Sequence, residues 1–246
     1  MFSKQRCIYA VALFLGMGLV STSTAFAGET NLSLKYQQSF GDNKYYRPQL
    51  GVAHKFDNGF KAGFTQKRQW SESGKESGFP TFNETVISSS YNFRPFSKVG
   101  LIANPGIDYQ FKHRSEVVRP SFKLYYKAAN GWGVGARYRY EYQLYNGLDG
   151  SPFRANRYDL YLDYAITDQW SVGWNPSYAH QLGDGGGGYY NAKSYRVEHE
   201  IKVGYRIDSK NALVIIYKRK DKTSDVARYN AGKHNDAVQL VYRYTF

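Results

Sequence analysis

The sequence predicts an all-β fold, a transmembrane antiparallel β-barrel of about 12 strands with a polar, basic lumen. Three observations carry that prediction. The first is strict alternation, clearest in GWGVGARYRYEYQLY from Gly131 to Tyr145. There Trp132, Val134, Ala136, Tyr138, Tyr140, Tyr142 and Leu144 fall on one face, and Gly133, Gly135, Arg137, Arg139, Glu141 and Gln143 on the other. Strand side chains alternate faces with period two, so one ribbon presents apolar groups to one side and charge to the other. The second is composition: aromatic content is 17% with 24 tyrosines, yet mean hydropathy is −0.60. A chain so aromatic and still hydrophilic on average interleaves its apolar residues with polar ones. Past the N-terminus no run reaches the ~18 apolar residues of a membrane helix. The third is the N-terminus itself.

Lys4 and Arg6 form a short basic region, Cys7 to Val20 is an apolar segment too short for a spanning helix, and Ala25-Phe26-Ala27 supplies a small-residue cleavage site. The expected division is a signal peptide over 1–27 and an outer-membrane β-barrel over 28–246. Cleavage would remove the single cysteine, Cys7, and both methionines, Met1 and Met17. Disulfides and thiol catalysis are then excluded from the mature chain. The formal charge of +13 falls by only two, so the mature chain stays strongly basic.

The elements follow in order. From Thr30 to Phe40, Leu32, Leu34, Tyr36 and Phe40 oppose Ser33, Lys35, Gln37 and Ser39. After GDNK, Tyr46, Pro48, Leu50, Val52 and Phe56 oppose Arg47, Gln49, Gly51, Ala53 and Lys55. Asp57-Asn58-Gly59 is a hairpin turn, and Phe60, Ala62 and Phe64, ending in Trp70, then oppose Lys61, Gly63, Thr65 and Lys67. A polar loop over Ser71 to Pro80 precedes a fourth strand near Glu84 to Phe93, and RPFSK leads to a fifth through Pro105, Ile107, Tyr109 and Phe111. A charged loop is expected around His113 to Glu116. The sixth strand sets Phe122, Leu124 and Tyr126 against Arg119, Lys123, Tyr125 and Lys127, and Asn130-Gly131 turns it into the seventh. A loop over Asn146 to Phe153 precedes an eighth strand with Tyr158, Leu160, Leu162 and Tyr164 opposite Arg157, Asp159, Tyr161 and Asp163. Thr167 to Gln169 turns the chain into Trp170, Val172, Trp174 and Tyr178. Past a glycine-rich loop, Val197, Ile201, Val203 and Tyr205 oppose Arg196, Glu198, Glu200, Lys202 and Arg206. ALVIIYKRK, after Asp208 to Asn211, begins apolar on both faces and takes no facing from the pattern. Leu240, Tyr242, Tyr244 and Phe246 close the chain against Gln239, Val241, Arg243 and Thr245.

Short turns alternating with longer loops suit an outer-membrane barrel, with the turns on the periplasmic side. The polar face carries too much charge for a buried core, because an unpaired buried charge costs several kcal/mol. Turned inward in a lipid-embedded barrel, the same face becomes a corridor. Its expected pore-lining, substrate-binding residues are Arg47, Arg119, Lys123, Arg137, Arg139, Arg157, Arg196, Lys202, Arg206 and Arg243. Such a corridor concentrates anions and repels cations, and the planar arginine fork suits carboxylates. Some bases pair with acids of the same face and stiffen the wall. Tyr125 and Tyr161 either stack on sugar rings or fill space, and Gly133 and Gly135 leave bore. Replacing Arg137 and Arg139 with glutamine is expected to lower anion selectivity without unfolding the barrel.

Several other classes fit poorly. A barrel phospholipase needs a histidine and a serine two apart on a lipid-facing strand; His54, His180, His199 and His234 have no such serine, and His113 with Ser115 falls in the expected charged loop instead. Asp221, Asp225, His234 and Asp236 lie in or near one loop, where polar residues are ordinary. The histidines are too scattered for a metal centre, so no catalytic residue, metal or cofactor is expected, and no nucleic-acid partner. A general or nucleoside-type channel remains an alternative, though a neutral substrate would not need so many arginines.

NPGIDYQF (Asn104 to Phe111), RPSFKLYYK (Arg119 to Lys127), GVGARYRYEY (Gly133 to Tyr142), RYDLYLDY (Arg157 to Tyr164) and the terminal YRYTF, in that order, resemble the oligogalacturonate-specific porin family. That family includes oligogalacturonate channels and the sialic-acid porin of enteric bacteria. The resemblance implies a monomeric twelve-stranded channel in the outer membrane of a Gram-negative bacterium, with basic tracks that carry acidic oligosaccharides. Carried onto this chain, the tracks are Arg47, Arg119, Arg137, Arg139, Arg157, Arg196, Arg206 and Arg243. The last residues look like the C-terminal signature of outer-membrane barrels, so outer-membrane lipids and, through Phe246, the barrel-assembly machinery are expected partners.

Overall fold

The computed structural model describes residues 27–41, 44–71, 82–96, 100–112, 115–146, 154–182, 195–220 and 235–246. Among them are twelve strands: β1 (Gly28–Gly41), β2 (Tyr45–Phe56), β3 (Phe60–Ser71), β4 (Phe82–Tyr91), β5 (Leu101–Lys112), β6 (Ser115–Lys127), β7 (Trp132–Asn146), β8 (Arg154–Ala165), β9 (Trp170–Gln181), β10 (Tyr195–Arg206), β11 (Asn211–Lys220) and β12 (Asn235–Thr245). Each pairs antiparallel with its neighbours in sequence, and β12 closes on β1. The closing seam runs from Asn31 opposite Thr245 to Gly41 opposite Asn235. Its turn end is tied by the Phe246 N–H, which donates to the Thr30 carbonyl at 2.9 Å, and by Thr245 Oγ1 with Asn31 Oδ1 at 2.8 Å. Closure leaves no strand edge, so backbone groups are satisfied within the sheet and the outer surface needs no polar partner.

The turns at Asp57 to Gly59, Asn130-Gly131, Thr167 to Gln169 and Asp208 to Asn211 form where the sequence places them, and the connection expected over Arg94 to Lys98 lies partly outside the described residues. Gly59 and Gly131 have φ of +92° and +88°, a region in which a β-carbon is strained. Asn58 Oδ1 accepts the Phe60 N–H at 2.9 Å, and Thr167 Oγ1 accepts the Trp170 N–H at 2.9 Å. At the turn between β10 and β11, Asp208 Oδ1 accepts the N–H groups of Lys210 and Asn211, both at 2.7 Å. These backbone bonds hold the Asp208 carboxyl below the usual carboxylate range.

Burial is inverted relative to a soluble domain. Leu160, Ile201, Ile215 and Leu240 are about half exposed on the outer face, whereas Glu141, Asp159 and Gln239 on the inner face are at most 4% exposed. Aromatic pairs gather on the outer face at the turn end: Trp132 with Tyr164 at 4.8 Å and Trp170 with Tyr205 at 4.7 Å, both tilted, and Tyr244 edge-on to Phe246 at 4.8 Å. They form the interfacial girdle expected of a membrane barrel.

Two details differ from the sequence pattern. Ser115 and Glu116 belong to β6 rather than to a loop, and the register shifts by a bulge between Glu116 and Val117. The extra residue of that bulge is Leu144 on β7, while β6 keeps its alternation, so the Glu116 carboxylate lies on the outer face with Val118 and accepts the Tyr109 hydroxyl at 2.7 Å. The unassigned strand β11 also acquires a facing. Its Ile215 is 53% exposed and its Ile216 only 8%, so Val214, Ile216 and Lys218 point inward. Cross-strand partners decide this, because Ile216 sits opposite Lys202 on β10 and Gln239 on β12.

Candidate transport corridor

All ten expected residues lie on the inner face. The strands that hold them differ in what they place alongside, and this divides nine of them into two groups, with Arg47 apart. The first group forms a chain of ion pairs across β7 to β10. Arg137 and Asp159 are cross-strand partners, with Nη2 2.9 Å from Oδ2. Arg157 donates to the same carboxylate through Nε at 2.8 Å, to Glu198 Oε2 through Nη1 at 3.0 Å, and to Ser177 Oγ through Nη2 at 3.0 Å. Arg196 joins Glu198 at 3.2 Å, and Arg139 holds Glu141 at 2.7 Å. On β5 and β6, Arg119 and Asp108 are cross-strand partners 3.7 Å apart. Lys202 lies 3.6 Å from Glu200 and also contacts Asn175.

β9 makes this network possible. Its inner positions are Ser171, Gly173, Asn175, Ser177 and Ala179, all small or short. Long side chains from β8 and β10 therefore meet over it. The sequence reading treated β9 mainly as an apolar strand and missed Asn175 and Ser177 as anchors. It also missed Lys218, which pairs with Glu200 at 2.9 Å. The run of short residues at every second position was the available signal.

The second group is Lys123, Arg206 and Arg243, and Arg47 belongs to neither. Lys123, Arg206 and Arg243 make no ion pair with a described residue, and the last two are exposed at the turn-end mouth. Lys123 Nζ stands 3.9 Å from the Tyr161 ring centroid and 4.8 Å from that of Tyr125. Arg137 Cζ approaches the Tyr161 ring at 5.8 Å. Across the bore wall, Arg47 donates to Gln69 Oε1 through Nε at 2.9 Å, with its Cζ 5.0 Å from the Tyr45 ring.

Gly133 and Gly135 do not leave open bore. An added β-carbon would stand 1.9 Å from Tyr125 Oη at Gly133 and 2.7 Å from Tyr125 Cδ2 at Gly135. The Tyr125 ring lies in the groove these glycines make, and its hydroxyl reaches Asp163 Oδ2 at 3.2 Å. Tyr125 is thus wall, and the ammonium of Lys123 covers the aromatic surface beside it.

Among the described residues no group of three His, Cys, Asp or Glu side chains is arranged to hold a metal. The arrangement is a charged, closed-wall corridor.

Comparison with known proteins agrees. The chain matches the sequence profile described as oligogalacturonate-specific porin protein (KdgM) over residues 22–214. The chain belongs to the oligogalacturonate-specific porin family. Within that fold, the NanC porin structure superposes with a TM-score of 0.72 at 20% identity, covering 87% of this chain and 98% of that one. The KdgM porin superposes with a TM-score of 0.61 at 17% identity, covering 87% and 99%. A curated relative, the uncharacterized protein YiiY of Salmonella typhimurium, is 25% identical over 244 residues, covering 96% of this chain and 97% of the relative. The family and these structures are porins, and the family barrel is one of the outer membrane.

Proposed function

We propose that this family member is a passive, anion-preferring channel for acidic oligosaccharides of the oligogalacturonate or sialic-acid type. The observation that carries the reading is the surplus of bases on the inner face after its acids are matched, above all Lys123, Arg206 and Arg243. A corridor walled by low-dielectric sheet and left net positive lowers the energy of an anion inside it. The paired arginines shape the wall and retain N–H groups for a carboxylate; the unpaired bases supply the attraction. The related KdgM porin has been solved in complex with disordered oligogalacturonate, which supports an acidic sugar as the cargo here. The remaining parts of the reading are a cleaved signal over 1–27, a monomeric barrel, and recognition of Phe246 by the barrel-assembly machinery.

Reversal potentials in planar bilayers under a salt gradient test the preference; cation selectivity sinks it. Liposome swelling with galacturonate oligomers, sialic acid and neutral oligosaccharides of matched size identifies the cargo. Equal rates for neutral and acidic sugars favour a general channel.

A further inference from the structure

The outer surface carries a charge pattern that transport through the bore does not use. In the described strands the outward positions hold five formally charged side chains, Arg68, Glu116, Arg154, Arg219 and Asp236. Every one lies in the loop-end half. At the turn end the outward strand positions hold no formally charged side chain; most are apolar or aromatic, among them Phe60, Tyr91, Tyr126, Trp132 and Trp170, with Thr30, His54 and Asn211 as polar exceptions. A lipid-facing arginine is strongly disfavoured at the bilayer midplane and tolerated near either interface. Tolerance therefore permits such residues at both ends and does not account for their confinement to one.

The acids and bases of this belt behave differently. Glu116 accepts the Tyr109 hydroxyl, and Asp236 accepts the Tyr217 hydroxyl at 2.9 Å. The arginines at 68, 154 and 219 are exposed and make no ion pair with a described residue. Arg154 is braced from behind, with its Cζ 5.6 Å from the Tyr142 ring, so its N–H edge stays available. Arg219 lies directly across the strand pair from His199, whose ring stacks on Trp174 at 6.0 Å. Arg68 lies across from Asn83. Each arginine thus has an aromatic or amide neighbour facing the lipid.

We infer that the loop-end belt binds the phosphate groups of a glycolipid of the outer leaflet, with Arg68, Arg154 and Arg219 as its phosphate ligands. The guanidinium fork matches two phosphate oxygens, and such charge-assisted bonds strengthen as water is excluded. The apolar band beneath, including Leu160, Ile201 and Ile215, receives the acyl chains. The turn-end girdle meets the other leaflet and needs no such cations.

Native mass spectrometry of the full refolded chain in detergent micelles tests this, with bis-phosphorylated lipid A, its dephosphorylated form and phosphatidylglycerol as probes. The wild-type barrel should retain phosphorylated lipid A at least about tenfold more tightly than the dephosphorylated form, since anionic-surface attraction adds with each basic residue. The combined variant Arg68→Gln, Arg154→Gln, Arg219→Gln should lose that preference. Its single-channel conductance in bilayers without lipid A should match wild type, because the three side chains lie outside the bore; this also reports folding. Should the triple variant fail to fold, the Arg154→Gln, Arg219→Gln pair carries the same expectation with a smaller loss. Equal retention of the two lipid A forms, an unchanged preference in the variants, or equally tight phosphatidylglycerol binding by wild type overturns the inference.

Discussion

Arg157 on β8 reaches across the whole width of β9 to place Nη1 3.0 Å from Glu198 Oε2 on β10. The reach depends on β9 offering only short side chains inward, with Ser177 itself accepting a bond from the same guanidinium. Glu198 in turn holds Arg196. One carboxylate therefore fixes two arginines, and the corridor's charge is spread over a braced wall.

Paired and unpaired bases should separate by stability. Arg139→Gln leaves Glu141, 2% exposed, without its partner, at a cost of about 3 kcal/mol. Arg206→Gln and Arg243→Gln break no ion pair with a described residue and should stay within about 0.5 kcal/mol of wild type. All three remove one positive charge, and all should shift the reversal potential toward cations. Urea unfolding from lipid vesicles, read beside bilayer recordings, distinguishes them. The Arg137, Arg139 double replacement, expected from sequence to lower anion selectivity without unfolding the barrel, should therefore lower stability as well while the barrel stays folded.

Gly133→Ala should force the Tyr125 ring off the wall and into the bore, since its hydroxyl oxygen occupies the added methyl's position. Single-channel conductance should fall. Adding Tyr125→Ala to Gly133→Ala should restore it, because the obstructing ring is gone. Failure of that rescue would mean the glycine serves the backbone rather than the ring.

The facing of β11 has its own test. Ile215→Arg places a cation in the lipid and should cost about 2–4 kcal/mol near the midplane. The same change at Ile216 points into the corridor, costs less and raises anion preference. Vesicle unfolding and reversal potentials read the two outcomes.

Asp208 gives a pH dependence outside the membrane. Its folded carboxyl is held below the ordinary value by the N–H groups of Lys210 and Asn211. Its contribution is thus complete above the unfolded carboxylate value of about 3.9 and is lost as pH falls through the depressed folded value. Asp208→Asn should lower the unfolding midpoint at pH 7 and leave it near wild type at the acid end of that window. A difference that persists unchanged in acid contradicts the assignment.

Sequence periodicity was enough for the barrel because period-two alternation reports facing directly, strand by strand. Leu240, Tyr242 and Tyr244 had one possible environment once lipid was outside. It failed at β11, where apolar residues on consecutive positions carry no phase; only Lys202 and Gln239 beside Ile216 supply one. It read Arg137, Arg139, Arg157 and Arg196 as one class with Lys123, Arg206 and Arg243, since a shared face says nothing of what stands on the next strand.

The sequence by itself determined that this chain forms a closed, outward-apolar sheet with a basic interior, because both properties are local sums over alternating residues. The tertiary structure alone decided which of those bases are already matched and that Tyr125 fills its glycine groove. The same packing confines the lipid-facing arginines to one end. Pairing, filling and level in the membrane are set by strand register and shear, which bring together residues far apart in the chain.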